Sequence, residues 1–285
     1  MIIEKILRKM GISLTSVTQF QNAEDGEFYN AWKIKADGKT MVLKQTKGHE
    51  LDTYQTFFSV PSTYTPRLYG TARYEDADYL LIEYIPGDDL RRCDRERLTV
   101  VLDSLIAMQK AWWELPTPEK GFHYAQSLPG RENRRNFLKD PQLEAAYDAF
   151  LREYSTVPRT LCHDDLLPFN VICNGGRAVF IDWEYGGILP YLTSLARLIA
   201  HGEDAEDAFF YMTEPDKAFA AAYYYDNFVG EMGISYDNYR RSLGLFLFYE
   251  YCEWVYVGNK YNDTTMPRYR SYFQKAKQLA AELGY

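Results

Sequence analysis

A short, strand-rich island at residues 159–183 interrupts a long run of helical patterns, and it constrains the fold of this 285-residue chain more than any other feature. Its first half reads Leu161-Cys162-His163-Asp164-Asp165-Leu166-Leu167-Pro168-Phe169-Asn170. An apolar run, Ala178-Val179-Phe180-Ile181, then ends on Asp182-Trp183-Glu184, with Asp182 twelve residues beyond Asn170.

Upstream of the island the texture is different. Residues 13–20, 31–35 and 40–44 read as strands, the first two by alternation, and Ala36-Asp37-Gly38-Lys39 joins the last two as a hairpin. Leu51, Tyr54, Phe57 and Phe58 recur at helical spacing, predicting a helix over 49–58 that Pro61 and Pro66 close off. A further strand pair is expected at 67–74 and 79–84. Pro86-Gly87-Asp88-Asp89 then punctuates the chain. Beyond it, helices are expected over 98–108, 143–154, 205–225, 236–257 and 268–283. The class is therefore α+β, with a strand-rich N-terminal lobe (1–85) and a mainly helical C-terminal lobe (86–285).

Composition narrows the function. Hydrophobic residues make up 46% and charged residues 25%, as in ordinary globular proteins. A net charge of -8 disfavours nucleic acid, whose phosphates call for a basic surface. Residues 1–10 mix charge into their apolar positions and lack the core of a signal peptide, and no apolar run is long enough for a bilayer, so the expectation is a soluble cytoplasmic protein. Four cysteines form no C-x-x-C pair, and four histidines form no H-x-x-x-H pattern, against zinc and against a disulfide framework.

The island carries the candidate chemistry. An Asp on a loop, here Asp165, can accept a hydroxyl proton and orient the nucleophile, while Asn170 faces back toward a metal. Asp182, delivered by an apolar strand, supplies a carboxylate; a carboxylate plus an amide oxygen suits a hard cation such as Mg2+. The same Asp and Asn would also suit a turn cap. Lys44 ends an alternating strand, where it is either an exposed strand lysine or a phosphate contact. Glu50 opens the next helix, where it either pairs with Lys44 or complements the helix dipole. His163 reads as a residue that packs and shapes the loop backbone, not as a catalytic acid.

Taken in order, Lys44, Glu50, the segment from Glu83 to Gly87, His163-x-Asp165-x4-Asn170 and Ile181-Asp182-Trp183-Glu184 resemble the aminoglycoside phosphotransferase and choline kinase superfamily. The resemblance covers roughly residues 12–256. It implies a protein-kinase-like two-lobed fold, ATP or GTP with Mg2+ in the cleft between the lobes, and a small hydroxylated acceptor held by C-terminal helices. By position, Asp165 is then the catalytic base, Asn170 and Asp182 the metal ligands, Lys44 with Glu50 the phosphate clamp, and Glu83 and Ile85 part of a hinge reading the base. Three departures stand out. Asp164 replaces the usual Gly or Asn. Segment 21–30, expected over the phosphates, holds one glycine, Gly26. Thr193-Ser194-Leu195-Ala196-Arg197 lacks the usual Asp before Leu-Ala, so a hydrogen bond to the catalytic loop is expected to be replaced. No Ala-Pro-Glu segment follows Asp182, so neither a protein substrate nor activating phosphorylation is expected.

Within 236–257, Glu250 and Glu253 share a helix face and Trp254 lies one turn from Glu250. Together with Asp164 these suit an amine or quaternary ammonium, unless the aromatics are simply core and the acids solvated. Three activities remain open: a kinase of aminoglycoside-like amines, a kinase of choline, ethanolamine or thiamine, and an inactive nucleotide-binding scaffold. The assembly is a monomer or homodimer.

Overall fold

A computed structural model describes residues 2–21 and 26–285. Five antiparallel strands, β1 (Leu14–Gln21), β2 (Phe28–Ala36), β3 (Lys39–Gln45), β4 (Leu68–Tyr74) and β5 (Ala77–Glu83), form one sheet in the order β1-β2-β3-β5-β4. Helix α1 (Ile2–Lys9) buries Ile3, Ile6 and Leu7 in the small core that Ile34, Met41, Leu43 and Leu81 form on this sheet. Eight residues span little more than two turns, too short a period to read as a helix from sequence alone. Helix α2 (Glu50–Phe57) follows β3, and its Tyr54 and Phe57 join the larger core of the C-terminal lobe. The two-lobed, protein-kinase-like fold is thus tied together by α2.

The crossing between lobes is fixed by a tight contact. A β-carbon on Gly87 (φ +151°) would come within 2.2 Å of the Cys173 carbonyl oxygen, so only glycine fits there. Strand β6 (Asp88–Asp89) then pairs with the strand Val171–Asn174 of the island.

Beyond it come α3 (Arg95–Ala111), β7 (Phe122–His123), α4 (Tyr124–Arg135) and α5 (Pro141–Thr156). The island resolves into β8 (Arg159–His163), a single 3-10 turn (Pro168–Asn170), β9 (Val171–Asn174) and β10 (Arg177–Phe180). Strand β11 (Gly186–Pro190) runs antiparallel to β8, and α6 (Leu192–Ala200), α7 (Glu214–Tyr224), α8 (Tyr236–Lys260) and α9 (Pro267–Glu282) complete the chain. No helix among the described residues is long and apolar enough to cross a membrane.

Two local readings need correction. Helix α4 was not expected; it carries Pro129 inside, a residue that argues against a helix interior. Residues 205–213, expected as helix, are a loop instead, because Thr213 is the true N-cap and accepts the Asp216 N–H on its hydroxyl. That loop is pinned to the rest of the lobe by Tyr211 N–H to Arg91 O and Glu203 N–H to Phe210 O.

Helix α5 begins at Asp140, whose Oδ1 accepts the N–H groups of Gln142 and Leu143, each at 3.0 Å, while Lys277 of α9 reaches both carboxylate oxygens at 3.0 Å. Burial acts to raise this carboxyl, but the Leu143 N–H and Lys277 outweigh it and hold the group below its ordinary value. A depressed carboxylate contributes stability that is present above the unfolded value and is lost as pH falls through the folded one. Asp140→Ala is therefore expected to cost about 1–2 kcal/mol in urea denaturation at pH 7. The difference from the parent shrinks below about pH 4; an equal penalty at pH 7 and pH 3 would contradict this account of the cap.

Candidate active site

Strand β3 lies between β2 and β5, so Lys44 near its end is held rigidly. Its Nζ donates to Glu50 Oε1 at 2.8 Å and to Asp182 Oδ1 at 2.5 Å, linking the sheet, α2 and the far side of the cleft. Burial acts to lower the Lys44 ammonium, but the two carboxylates outweigh it and hold it above its ordinary value. Burial pushes Glu50 upward against the pull of Lys44.

Opposite lies the loop between β8 and β9. His163 is fully buried; its Nε2–H donates to Ile181 O at 2.8 Å and its Nδ1 accepts the Asp165 N–H at 3.2 Å, a pairing that places the ring proton on Nε2. Burial lowers its basicity, in keeping with a neutral ring that braces two backbone segments. Ser194 stands at the position where the resembled family often has an Asp, and its Oγ accepts the His163 N–H at 2.8 Å, a hydrogen bond to the loop from this position.

Asn170 is buried and its Nδ2 donates to Asp165 O at 2.8 Å, which orients the amide and directs Oδ1 away from that bond. The Asn170 carbonyl accepts the Ile181 N–H at 3.0 Å, so Asn170 and Asp182 sit side by side. Asp182 adopts φ +66°, a left-handed conformation uncommon outside glycine. Its neighbour Trp183 is fully buried, donates Nε1–H to Phe180 O and packs on Phe58 and His163 with ring centroids 4.6 Å apart in both cases. That anchor holds the turn, and the Asp182 side chain remains 47% exposed at the cleft. Burial acts to raise the Asp182 carboxyl, but Lys44 outweighs it and keeps the group below the carboxylate range. One exposed carboxylate and, one residue from a shared backbone hydrogen bond, one buried amide oxygen are a donor set whose chemistry fits a hard cation retaining several waters.

Asp165 Oδ1 accepts two N–H groups of one side chain, Arg197 Nε at 3.0 Å and Nη2 at 2.8 Å. Among the described residues, Oδ2 has only Asn170 Nδ2 at 3.4 Å. At the hinge, the Glu83 carboxylate accepts the Arg67 N–H at 3.2 Å and lies 3.5 Å from Arg177, while the Glu83 N–H is taken by Arg67 O. Ile85 is buried just past the strand's end. Of segment 21–30, residues 22–25 lie outside the described residues.

A cavity of about 230 Å³ opens beside Arg197, the partner of Asp165, walled by Phe169, Phe209, Phe210, Glu253, Trp254 and Tyr272, with Arg268 also on its surface. Glu253 and Trp254 line it; Asp164 and Glu250 do not. Asp164 is turned to the buried Arg131 of α4. Glu250 lies beneath the wall, 2.9 Å from Arg197 Nη1. His201, Glu250 and Glu253 are close enough together to bind a metal, but Arg197 Nη1 occupies their centre, within hydrogen-bond reach of all three. Neither arginine was singled out from sequence. The available signal was that Ser194 and Arg197 are three apart on α6, so a helix face that touches His163 also reaches Asp165.

The family described as the phosphotransferase enzyme family matches residues 24–231. Among curated proteins, Protein LicA of Haemophilus influenzae is 36% identical over 53 residues, 19% of this chain and 20% of that protein. The match thus spans only about a fifth of the curated relative's length. Choline kinase from Cryptosporidium parvum superposes with a TM-score of 0.63 at 14% identity, covering 99% of this chain and 96% of that one. An amicoumacin kinase in complex with AMP-PNP, Ca2+ and Ami gives 0.59 at 12% identity, with 98% and 92% covered. Aminoglycoside-3'-phosphotransferase of type VIII gives 0.55 at 16% identity, with 87% and 97% covered. At these identities the likeness is one of fold.

Proposed function

Since the chain belongs to the phosphotransferase enzyme family, we propose that it moves the terminal phosphate of ATP or GTP to a hydroxyl of a small, positively charged molecule. The observation that carries this reading is the continuous charged chain Glu50–Lys44–Asp182, beside a loop whose Asp165 keeps a second carboxylate oxygen nearly free among the described residues. Such a chain suits phosphates on one side and a nucleophile on the other.

Lys44, held by Glu50, contacts the nucleotide phosphates. The base meets main chain at Tyr84 and Ile85, since the Glu83 side chain is engaged by Arg67 and Arg177. Asn170 and Asp182 hold Mg2+, which when bound neutralises phosphate charge. The acceptor hydroxyl donates to Asp165 Oδ2. As its oxygen bonds to the terminal phosphorus, the bond from that phosphorus to the bridging oxygen breaks, the hydroxyl proton passes to Asp165, and the nucleoside diphosphate leaves. The complex of an amicoumacin kinase with AMP-PNP and Ca2+ supports a nucleoside triphosphate and a divalent cation as the pairing.

The acceptor reading rests on the cavity. Its lining carries two carboxylates, Glu203 and Glu253, and two guanidiniums, Arg197 and Arg268, a formal balance, while Asp165 and Glu250 lie behind it on Arg197. Aromatic faces beside Glu253 favour an ammonium group, and Trp254 already shows the preference by holding Arg268 over its ring at 4.9 Å, a place a ligand cation would share or take over. The volume falls below the roughly 300 Å³ usual for drug-sized ligands. This favours a compact amino alcohol of the choline or ethanolamine kind over a multi-ring amino sugar.

A coupled nucleotide-consumption assay across amino alcohols, amino sugars and neutral sugars tests it. Compact cationic alcohols are expected to be consumed, and Trp254→Ala is expected to raise their KM by roughly tenfold, about 1.4 kcal/mol, with the KM for ATP unchanged. Turnover confined to uncharged or anionic acceptors, with Trp254→Ala and Glu253→Gln leaving their KM values alone, would refute the cationic reading.

A further inference from the structure

Resting on the phosphotransferase reading above, we infer that Arg197 is the positioning residue of the reaction: it fixes the Asp165 carboxylate so that Oδ1 is occupied and Oδ2 alone meets the acceptor. Arg197 projects from α6 and is largely buried, its side chain 14% exposed. Its Nε–H and Nη2–H both end on Asp165 Oδ1. Two donors from a planar guanidinium converge on this one oxygen and fix its position, which a lysine's single point charge does less closely, and they leave Oδ2 unclaimed by the guanidinium.

The guanidinium is itself braced from behind. Nη1 donates to Glu250 Oε2 at 2.9 Å and Glu253 Oε2 at 2.5 Å, both on α8, and lies 3.1 Å from His201 Nε2. Three carboxylates from two elements thus converge on one cation whose fork opens toward the reacting side. A cross-link needed only to join α6 to α8 would be complete with Nη1; the remaining two donors are spent on Asp165. Arg197 also borders the cavity, so the group that holds Asp165 lies between this carboxylate and the space proposed for the acceptor. Misplacement by about 1 Å of such a group is worth up to roughly 100-fold in rate.

The test uses ATP hydrolysis with water as the acceptor, so no cognate alcohol is needed. Arg197→Lys keeps the cluster's charge and loses the fork. The triple variant Arg197→Met, Glu250→Gln, Glu253→Gln removes the cation together with the two more buried acids, and leaves only Asp165, one-third exposed to solvent, without its partner. In both, kcat for phosphate release is expected to fall about 10- to 100-fold, while the KM for ATP stays within about twofold and the melting transition stays cooperative. A triple variant that folds, binds ATP and hydrolyses it at the parent's kcat would reduce Arg197 to a structural cross-link. So would unchanged kcat in Arg197→Lys. A parent that neither binds nor hydrolyses ATP or GTP overturns the phosphotransferase reading itself, a result distinct from equal kcat in parent and variants.

Discussion

Asp165→Asn is expected to lower turnover by about two to four orders of magnitude while leaving nucleotide binding nearly intact. The amide matches the carboxylate in size but cannot take up the hydroxyl proton at neutral pH, and one of its two ends becomes a donor. Folding should survive, because Arg197 retains Glu250 and Glu253, and because the backbone of the loop is held independently by His163, Ser194 and Asn170. Nucleotide contacts should also survive, since Lys44, Glu50 and Asp182 make no hydrogen bond to Asp165. Steady-state phosphate release and calorimetric titration with a non-hydrolysable nucleotide separate the two effects. Parent-like turnover in Asp165→Asn removes this carboxylate from the chemistry, whatever the fold.

The parts of this site that were legible in sequence are those written in local pattern. Alternation marks β2, apolar strands deliver Asp165 and Asp182 to their loops, and the hairpin turn 36–39 fixes the register that places Lys44. The unread parts are pairings across the chain. Arg197 meets partners 32, 53 and 56 residues away, and Asp164 meets Arg131 33 residues upstream. The spacing of Glu250 and Glu253 correctly puts them on one helix face, yet periodicity says nothing about the guanidinium that this face meets. Acids that look like a free negative wall in sequence are, in the fold, partly consumed in bracing another residue. The same limit explains the loop at 205–213: Ala205, Ala208 and the aromatics that follow read as helix by composition, but Thr213 and Pro215 start α7 later and leave Phe209 and Phe210 to wall the cavity.

Asp182→Ala is expected to abolish the magnesium dependence of nucleotide binding and to lower turnover by at least about 10³-fold, since metal stabilisation of phosphate charge is worth several kcal/mol. Two effects have to be separated. Removing the carboxylate takes away a ligand, but Ala at φ +66° also carries a backbone cost of about 1–2 kcal/mol. Asp182→Asn isolates the first, because Asn tolerates the left-handed region and keeps the shape while losing the charge. Lys44 is left with Glu50 as partner in either variant, so the sheet-to-α2 link stays intact and the melting temperature of the Asn variant should remain near the parent's. Loss of one of the two carboxylates that hold the Lys44 ammonium up also moves its pKa downward, toward the value burial alone would give. The decisive measurement is nucleotide affinity with and without Mg2+: a steep metal dependence in the parent and none in Asp182→Asn or Asp182→Ala is the expected result. An undiminished magnesium effect in both variants would mean that the cation is held elsewhere, and the pairing of Asn170 with Asp182 would then be a backbone arrangement without a metal.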